Sequence, residues 1–316
     1  MDSNTEHKIP VICLSEENFK PGSDSWVLAS KQVRHGLEEY GCFEIVYDEF
    51  PLQLHNSIFG AAKDLLDLPE ETKKRKSSKR PGSLGYVPQR PITPLYESIG
   101  IDSPNILEEA EHFSNVMWPE GNDTFRETVH SFSKRLVELY EMTIRMVFEN
   151  YGVDMKVFNP LMESTFYILR FFRYRTRQPN ESNVGLDSHT DVNFISILHQ
   201  HEVEGLQIKT KDHQWIDVKP SPSSFIVLAG DGLMVWGNDR VRACEHRAII
   251  KENKVRYCIG LFTIMKGLVH VPEELLDDDH PLRYKPFDNF GYMRFFISGE
   301  AKKCTVPAIK AFCGID

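Results

Sequence analysis

His189-Thr190-Asp191 is the single H-x-D arrangement among the chain's 12 histidines. An imidazole and a carboxylate at that spacing are two ligands for a divalent first-row metal. The pair stands just before FISIL, a strand-like run. On an extended segment residues i and i+2 face the same way, so both side chains can enter one interior. A third ligand has to come from a distant strand. His246, in the run VRACEHRAII, is the best placed. Two histidines and one carboxylate on one face of a metal are the donor set of non-haem Fe(II) oxygenases, which leaves positions open for a cosubstrate and O2.

Ten residues beyond His246 comes Arg256, in VRYCIGLF. An arginine facing a barrel interior needs an anion. A dicarboxylate such as 2-oxoglutarate meets that need: one end chelates the metal and the C5 carboxylate pairs with the guanidinium. A zinc hydrolase can use the same three ligands, but nothing in its chemistry asks for the arginine. His199 and His201 share the i, i+2 spacing without such partners and read as a strand end and a loop. Arg242 and Arg247 read as lying outside the barrel, and Phe171, Phe225 and Trp236 as core.

The elements that must position these residues change character along the chain. IPVIC (9–13) and CFEIVY (42–47) read as strands. Between them Val27, Val33, Leu37 and Tyr40 mark a helix capped by Ser25 and ended by Gly41. Leu54, Ile58, Ala62 and Leu65 give a second helix, stopped near Pro69. Phe125, Val129, Phe132, Leu136, Leu139, Thr143 and Val147 recur every three or four residues and predict one long helix, ended by Gly152. From Ser164 onward the runs STFYILRFFRYR, FISILHQ, GLQIKT, QWIDVKP, SFIVLAG, LMVWGN, VRACEHRAII and VRYCIGLFTIM are short, β-branched and aromatic. Eight such runs at close spacing predict a sandwich or closed barrel. The fold expected is α+β, mainly β. Residues 1–160 form an N-terminal helical region, 161–270 the core, and 271–316 a tail folding back through a helix. The basic, Gly/Pro-rich stretch 75–91 lacks an apolar face and reads as a solvated loop or a mobile lid.

Composition sets outer bounds. The 316 residues carry 37 basic and 46 acidic side chains, a formal charge of −9, which argues against nucleic acid or an anionic membrane as main partner. Six cysteines without a CxxC pair suggest reduced thiols, and with no secretory signal the expectation is a cytoplasmic monomer.

HTDVNFISILHQ, GLQIKTKDHQWIDVKPSPSSFIVLAGD, EHRAI and RYCIGLF together resemble plant 2-oxoglutarate- and Fe(II)-dependent dioxygenases, in the branch acting on specialised metabolites. The stretch IPVICLSEENFKPGSDSW…EEYGCFEIVYDE resembles that family's N-terminal region, so the likeness covers nearly the whole chain. It implies a double-stranded β-helix, or jelly roll, with helices outside. It implies His189, Asp191 and His246 as iron ligands, Arg256 as the clamp on the 2-oxoglutarate C5 carboxylate, and Tyr174 as a hydroxyl against the same group. Two positions depart from the pattern. Cys258 stands where the family has a serine that also binds the carboxylate, and Phe172 where many relatives carry asparagine. The activity implied is oxidation of a substrate C–H bond with O2, giving succinate and CO2, with ascorbate as reductant. Hydroxylation is the default outcome; desaturation, ring closure and O-demethylation are variants. The rivals are an ascorbate-dependent oxidase of the same fold and a non-catalytic jelly-roll binding protein. Tyr86, Phe113, Met117, Tyr284 and Phe287 are candidates for lining a bulky apolar small-molecule pocket.

Overall fold

The computed structural model describes residues 8–15, 20–75 and 85–315. The first part runs β1 (Val11–Leu14), α1 (Asp24–Glu39), β2 (Cys42–Tyr47), α2 (Leu52–Asp67), α3 (Glu70–Lys73), β3 (Tyr86–Val87), β4 (Tyr96–Asp102), α4 (Leu107–Met117), α5 (Asp123–Tyr151) and α6 (Phe158–Ser164). The β-rich part runs β5 (Thr165–Tyr174), β6 (Val184–His189), β7 (Ile195–Gln200), β8 (Leu206–Lys209), β9 (Trp215–Val218), β10 (Ser224–Ala229), α7 (Asp231–Trp236), β11 (His246–Ile249) and β12 (Arg256–Met265). The tail adds β13 (Leu268–Val269), β14 (Phe287–Asp288), α8 (Asn289–Ile297) and α9 (Ala308–Cys313).

Two sheets make the jelly-roll core. The larger has the order β1-β2-β10-β7-β12-β5-β4-β3 and the smaller β6-β11-β8-β9. The N-terminal region is therefore built into the larger sheet, because β2 pairs antiparallel with β10 and β4 with β5. Strand β5 is buried along nearly its whole length, which fits a strand covered on both faces.

Helix α5 is the spine expected from its stripe. Its seven periodic residues are all buried, Asn122 caps it by accepting from the Phe125 N–H at 2.9 Å, and Gly152 ends it at φ 70°. Helix α1 differs in detail from its sequence reading. Ser23, not Ser25, is the cap, accepting from Trp26 N–H at 3.1 Å, and Val27 is exposed. Gly41 follows at φ 72°, and a Cβ there would lie 2.4 Å from the Arg242 carbonyl oxygen. Glycine is needed twice over, for the left-handed turn and for the close approach.

Two further readings change, those of LMVWGN and of His199, and a third falls mostly outside the described residues. LMVWGN forms α7 and the turn after it, because four successive apolar residues carry no period that separates strand from buried helix. Of the stretch 75–91, residues 76–84 lie outside the described residues. Tyr86–Val87 pairs antiparallel with Ile99 and Ser98, and the Tyr86 hydroxyl donates to Glu97 at 2.6 Å. Glu97 also accepts from Lys73 and Arg173, so this corner is a buried charge cluster.

His199 is no strand end. It lies inside β7, fully buried and stacked on Phe225 at 4.6 Å. Its Nδ1–H donates to the Ser224 carbonyl at 2.9 Å, so its Nε2 accepts from His55 Nδ1–H, also at 2.9 Å. This pair ties α2 to the larger sheet. Burial pushes His199 down to about 3. The ring is neutral when folded and free to charge when unfolded, so its stabilisation is full above the ordinary histidine value and shrinks as pH falls below it. By pH 5 the loss should reach about 2 kcal/mol. Urea midpoints at pH 7 and pH 5 check this: His199→Gln should show a smaller drop than wild type, and an equal drop would contradict the assignment.

Candidate active site

The two sheets bring the candidate residues together from opposite sides. On the smaller sheet His189 and His246 are direct cross-strand partners, at the end of β6 and the start of β11. Their ring centres lie 4.4 Å apart. Asp191 is not on a strand as the H-x-D reading supposed. It sits in the loop after β6, with Oδ1 3.6 Å from His189 Nε2. One donor atom from each of the three falls within 4.8 Å of the others, the one such group among the described residues.

Each donor is oriented by a neighbour. His189 Nδ1–H donates to the Asp187 carbonyl at 2.7 Å, and His246 Nδ1–H to the Cys244 carbonyl at 3.1 Å. Both rings therefore present the Nε2 lone pair to the common centre. Asp191 Oδ2 accepts from the Ser196 hydroxyl at 2.5 Å, and Ser196 is held in turn by Asn193. Burial, helped by the neighbouring His189, pushes His246 down to about 4, so its imidazole is neutral at physiological pH. Two imidazoles and a carboxylate, each with a fixed orientation, fit a divalent metal.

The loop beneath is set by a turn that the sequence reading missed. Asp231 N–H donates to the Asp191 carbonyl at 2.7 Å, and a Cβ on Gly230 would lie 2.2 Å from the Asn193 carbonyl oxygen. The Tyr292 hydroxyl, on α8, donates to Asp231 Oδ2 at 2.6 Å. Burial pushes the Asp231 carboxyl up to about 6. Helix α8 thus reaches the metal-site loop through Tyr292 and through Asn289, whose Nδ2 donates to the Val192 carbonyl at 2.9 Å.

Facing the triad, the larger sheet pairs Arg256 with Tyr174 across β12 and β5. Arg256 is 2% exposed. Its Nη2 donates to Gln200 at 2.7 Å and its guanidinium lies 5.1 Å from the Tyr174 ring, while its Nε has no hydrogen-bond partner. A buried guanidinium with an orphaned donor fits an oxyanion. Gly205 makes room for it, since a Cβ there would lie 2.9 Å from Arg256 Cδ. Cys258, two residues on, is buried and faces the same space.

His189, Asp191, His246, Arg256, Cys258 and Tyr174 all line one cavity of about 150 Å³. A second space of about 1140 Å³ reaches His189 and Thr190 from outside but not Asp191 or His246, and ion-paired side chains such as Arg34, Glu38 and Lys211 ring it.

The five apolar candidates are not brought to the triad. Phe113 and Met117 are core residues of α4, with Phe113 stacked on Phe125. Tyr86 serves the Glu97 cluster. Tyr284 is buried and donates to Asp239, and Phe287 packs edge-on to Tyr292. Their bulk is used in packing. The cavity wall is made instead by Phe172, Leu186, Leu198, Leu206, Phe262 and the half-buried Tyr96.

Residues 165–264 match the 2OG-Fe(II) oxygenase superfamily, and residues 9–119 match the N-terminal region described for non-haem dioxygenases in morphine synthesis. The chain is 42% identical over 313 residues to the probable 2-oxoglutarate-dependent dioxygenase AOP1.2 of Arabidopsis thaliana, covering 96% of this chain and 95% of that one. It is 30% identical to the 2-oxoglutarate-dependent dioxygenase AOP3 of the same plant, covering 98% of each. Among solved structures, the dioxygenase for auxin oxidation of rice superposes with a TM-score of 0.81 at 27% identity, covering 98% of this chain and 100% of that one. The Arabidopsis thaliana dioxygenase for auxin oxidation, in its 2-oxoglutarate complex, gives 0.77 at 26% identity, covering 87% and 100%. With both regions matched and a relative this similar spanning nearly the full length, the chain belongs to the 2OG-Fe(II) oxygenase superfamily and is a 2-oxoglutarate-dependent dioxygenase.

Proposed function

We propose that this dioxygenase hydroxylates a C–H bond of a plant metabolite, with Fe(II) held by His189, Asp191 and His246 and 2-oxoglutarate held by Arg256. The observation that carries the reading is the buried Arg256, with its partnerless Nε, in the same cavity as three converging donors. A metal alone would explain the triad; only a bound oxyanion explains the arginine as well. When bound, Fe(II) supplies the oxidative decarboxylation in which one atom of O2 enters succinate and the other enters the substrate. The chain's own residues do the rest. Arg256 and Gln200 fix the C5 end, with the Tyr174 ring against the guanidinium. Phe172, Leu198 and Phe262 keep water from the reacting space. Ascorbate serves to keep the metal reduced, and the working unit is a monomer with no nucleic-acid partner. No helix among the described residues is long and apolar enough to cross a membrane.

The test is succinate release on offering a plant-metabolite library with Fe(II), 2-oxoglutarate and ascorbate, read by mass spectrometry. Turnover that needs ascorbate but yields no succinate would overturn the cosubstrate assignment.

Cys258 gives a finer prediction. Its thiol makes only a long contact to the Ile259 carbonyl, at 3.8 Å. A hydroxyl there would donate more strongly to the C5 carboxylate, by about 1 kcal/mol or fivefold. Lost packing against the apolar wall offsets part of this. Cys258→Ser should stay active and lower the 2-oxoglutarate KM about two- to fivefold. A cosubstrate titration at saturating organic substrate decides it, and a large loss of turnover with iron content intact would mean that the thiol does something else.

A further inference from the structure

Asp191 is carried differently from the other two donors. His189 and His246 are strand residues paired across β6 and β11, so the smaller sheet places both rings. Asp191 stands in the loop after β6, and its side chain depends on hydrogen bonds for its place. The bond that holds it comes from the other sheet. Ser196 lies in β7, between β10 and β12 of the larger sheet, and is fully buried. Its hydroxyl donates to Asp191 Oδ2 at 2.5 Å.

The direction of that bond is fixed by a third residue. Asn193 is 2% exposed, and its Nδ2 donates to the Ile195 carbonyl at 2.7 Å and to Ser196 Oγ at 3.2 Å. A serine hydroxyl has a single proton to give. With Oγ already accepting from the amide, that proton goes to the nearer and charged acceptor, the Asp191 carboxylate, and not to Asn193 Oδ1 at 3.3 Å. Asn193, Ser196 and Asp191 thus form a run of donors that ends on Oδ2. The oxygen left beside the histidines is Oδ1, 3.6 Å from His189 Nε2.

A carboxylate can give a metal one oxygen or both. Here the difference decides whether a position stays open. The three converging donors and a chelating cosubstrate leave a single position of an octahedral metal when Asp191 gives one oxygen, and none when it gives both. We propose that Ser196 is a positioning residue of the reaction. By holding Oδ2 on the larger sheet it keeps Asp191 a one-oxygen donor, and so keeps free the position that O2 requires. The inference rests on the assignment of His189, Asp191 and His246 to iron.

The test uses the full chain loaded with Fe(II) and 2-oxoglutarate without O2, and nitric oxide as the probe of the open position. Nitric oxide binds Fe(II) where O2 does, and its complex is read by visible absorption and electron paramagnetic resonance. Ser196→Ala should hold iron and 2-oxoglutarate as tightly as wild type, which also reports an intact fold. Its nitric oxide affinity should fall by at least about tenfold. Ser196→Thr keeps the hydroxyl and should bind nitric oxide nearly as wild type does. Ser196→Val has the shape of the threonine without its hydroxyl and should fall as the alanine variant does. Wild-type nitric oxide affinity in Ser196→Ala and Ser196→Val, or a fall shared equally by iron, cosubstrate and nitric oxide, would overturn the proposal and leave the triad standing. Iron and nitric oxide binding at wild-type strength in Asp191→Ala would overturn the triad assignment and the proposal with it.

Discussion

Asp191→Ala and His246→Ala should each abolish substrate oxidation while the protein stays folded. Each change removes one of three donors that converge within 4.8 Å. Two donors hold a first-row metal poorly at the concentrations available in solution, and changes merely beside a ligand already cost 10–100-fold in affinity or activity. Removing a ligand should therefore lower turnover by at least about a thousandfold. Little else depends on these side chains. Asp191 is half-buried on a loop, and its Oδ2 takes one hydroxyl, from Ser196. His246 is buried, and its Nδ1–H donates to the carbonyl of Cys244, two residues away. The measurement is succinate and product formation after metal stripping and reloading with Fe(II), beside thermal melting and bound iron. Retained turnover in either variant would show that the metal, or the chemistry, lies elsewhere.

The sequence made the donors legible because their residue types are rare in combination and their spacing survives folding. A strand can only place Arg256 and Cys258 on the same face, and β12 does so. The long stripe of α5 was equally readable, since 29 residues at one period leave no alternative. What the sequence hid was whatever depends on backbone atoms or on remote partners. The carbonyls of Asp187 and Cys244 orient the two histidines, and any residue type supplies a carbonyl. The His55–His199 pair spans 144 positions, so neither local pattern announces the other. Arg170 sits in the run ILRFFRYR, where three arginines alternate with aromatics. Strand parity separates Arg173 from Arg170 and puts Arg170 on the face of Tyr174, and the cavity lining includes Arg170 and not Arg173. The apolar candidates failed for a different reason. Large apolar side chains serve a core and a pocket equally well, and here Phe113, Met117, Tyr284 and Phe287 are buried in packing.

Arg256→Ala should raise the 2-oxoglutarate KM by about 30-fold or more and leave the KM for the organic substrate nearly unchanged. A charge-assisted pair in a site shielded from water is worth about 2–5 kcal/mol when one partner is truncated. The upper part of that range applies where the remaining charge stays buried, and Arg256 is 2% exposed. The split between the two KM values is what distinguishes a clamp from a structural residue. Loss of Arg256 also frees Gln200 and leaves space beside the Tyr174 ring, so some stability will be lost. That loss acts on both substrates alike. Arg256→Lys separates charge from shape: an ammonium keeps the attraction but not the fork. It should recover part of the cosubstrate affinity and remain several-fold weaker than wild type. Steady-state titrations of each substrate at saturating concentration of the other decide the matter. An unchanged 2-oxoglutarate KM in Arg256→Ala would move the C5 carboxylate to another cation, and Arg170 is the one other arginine that both lines the triad cavity and is buried on the facing sheet.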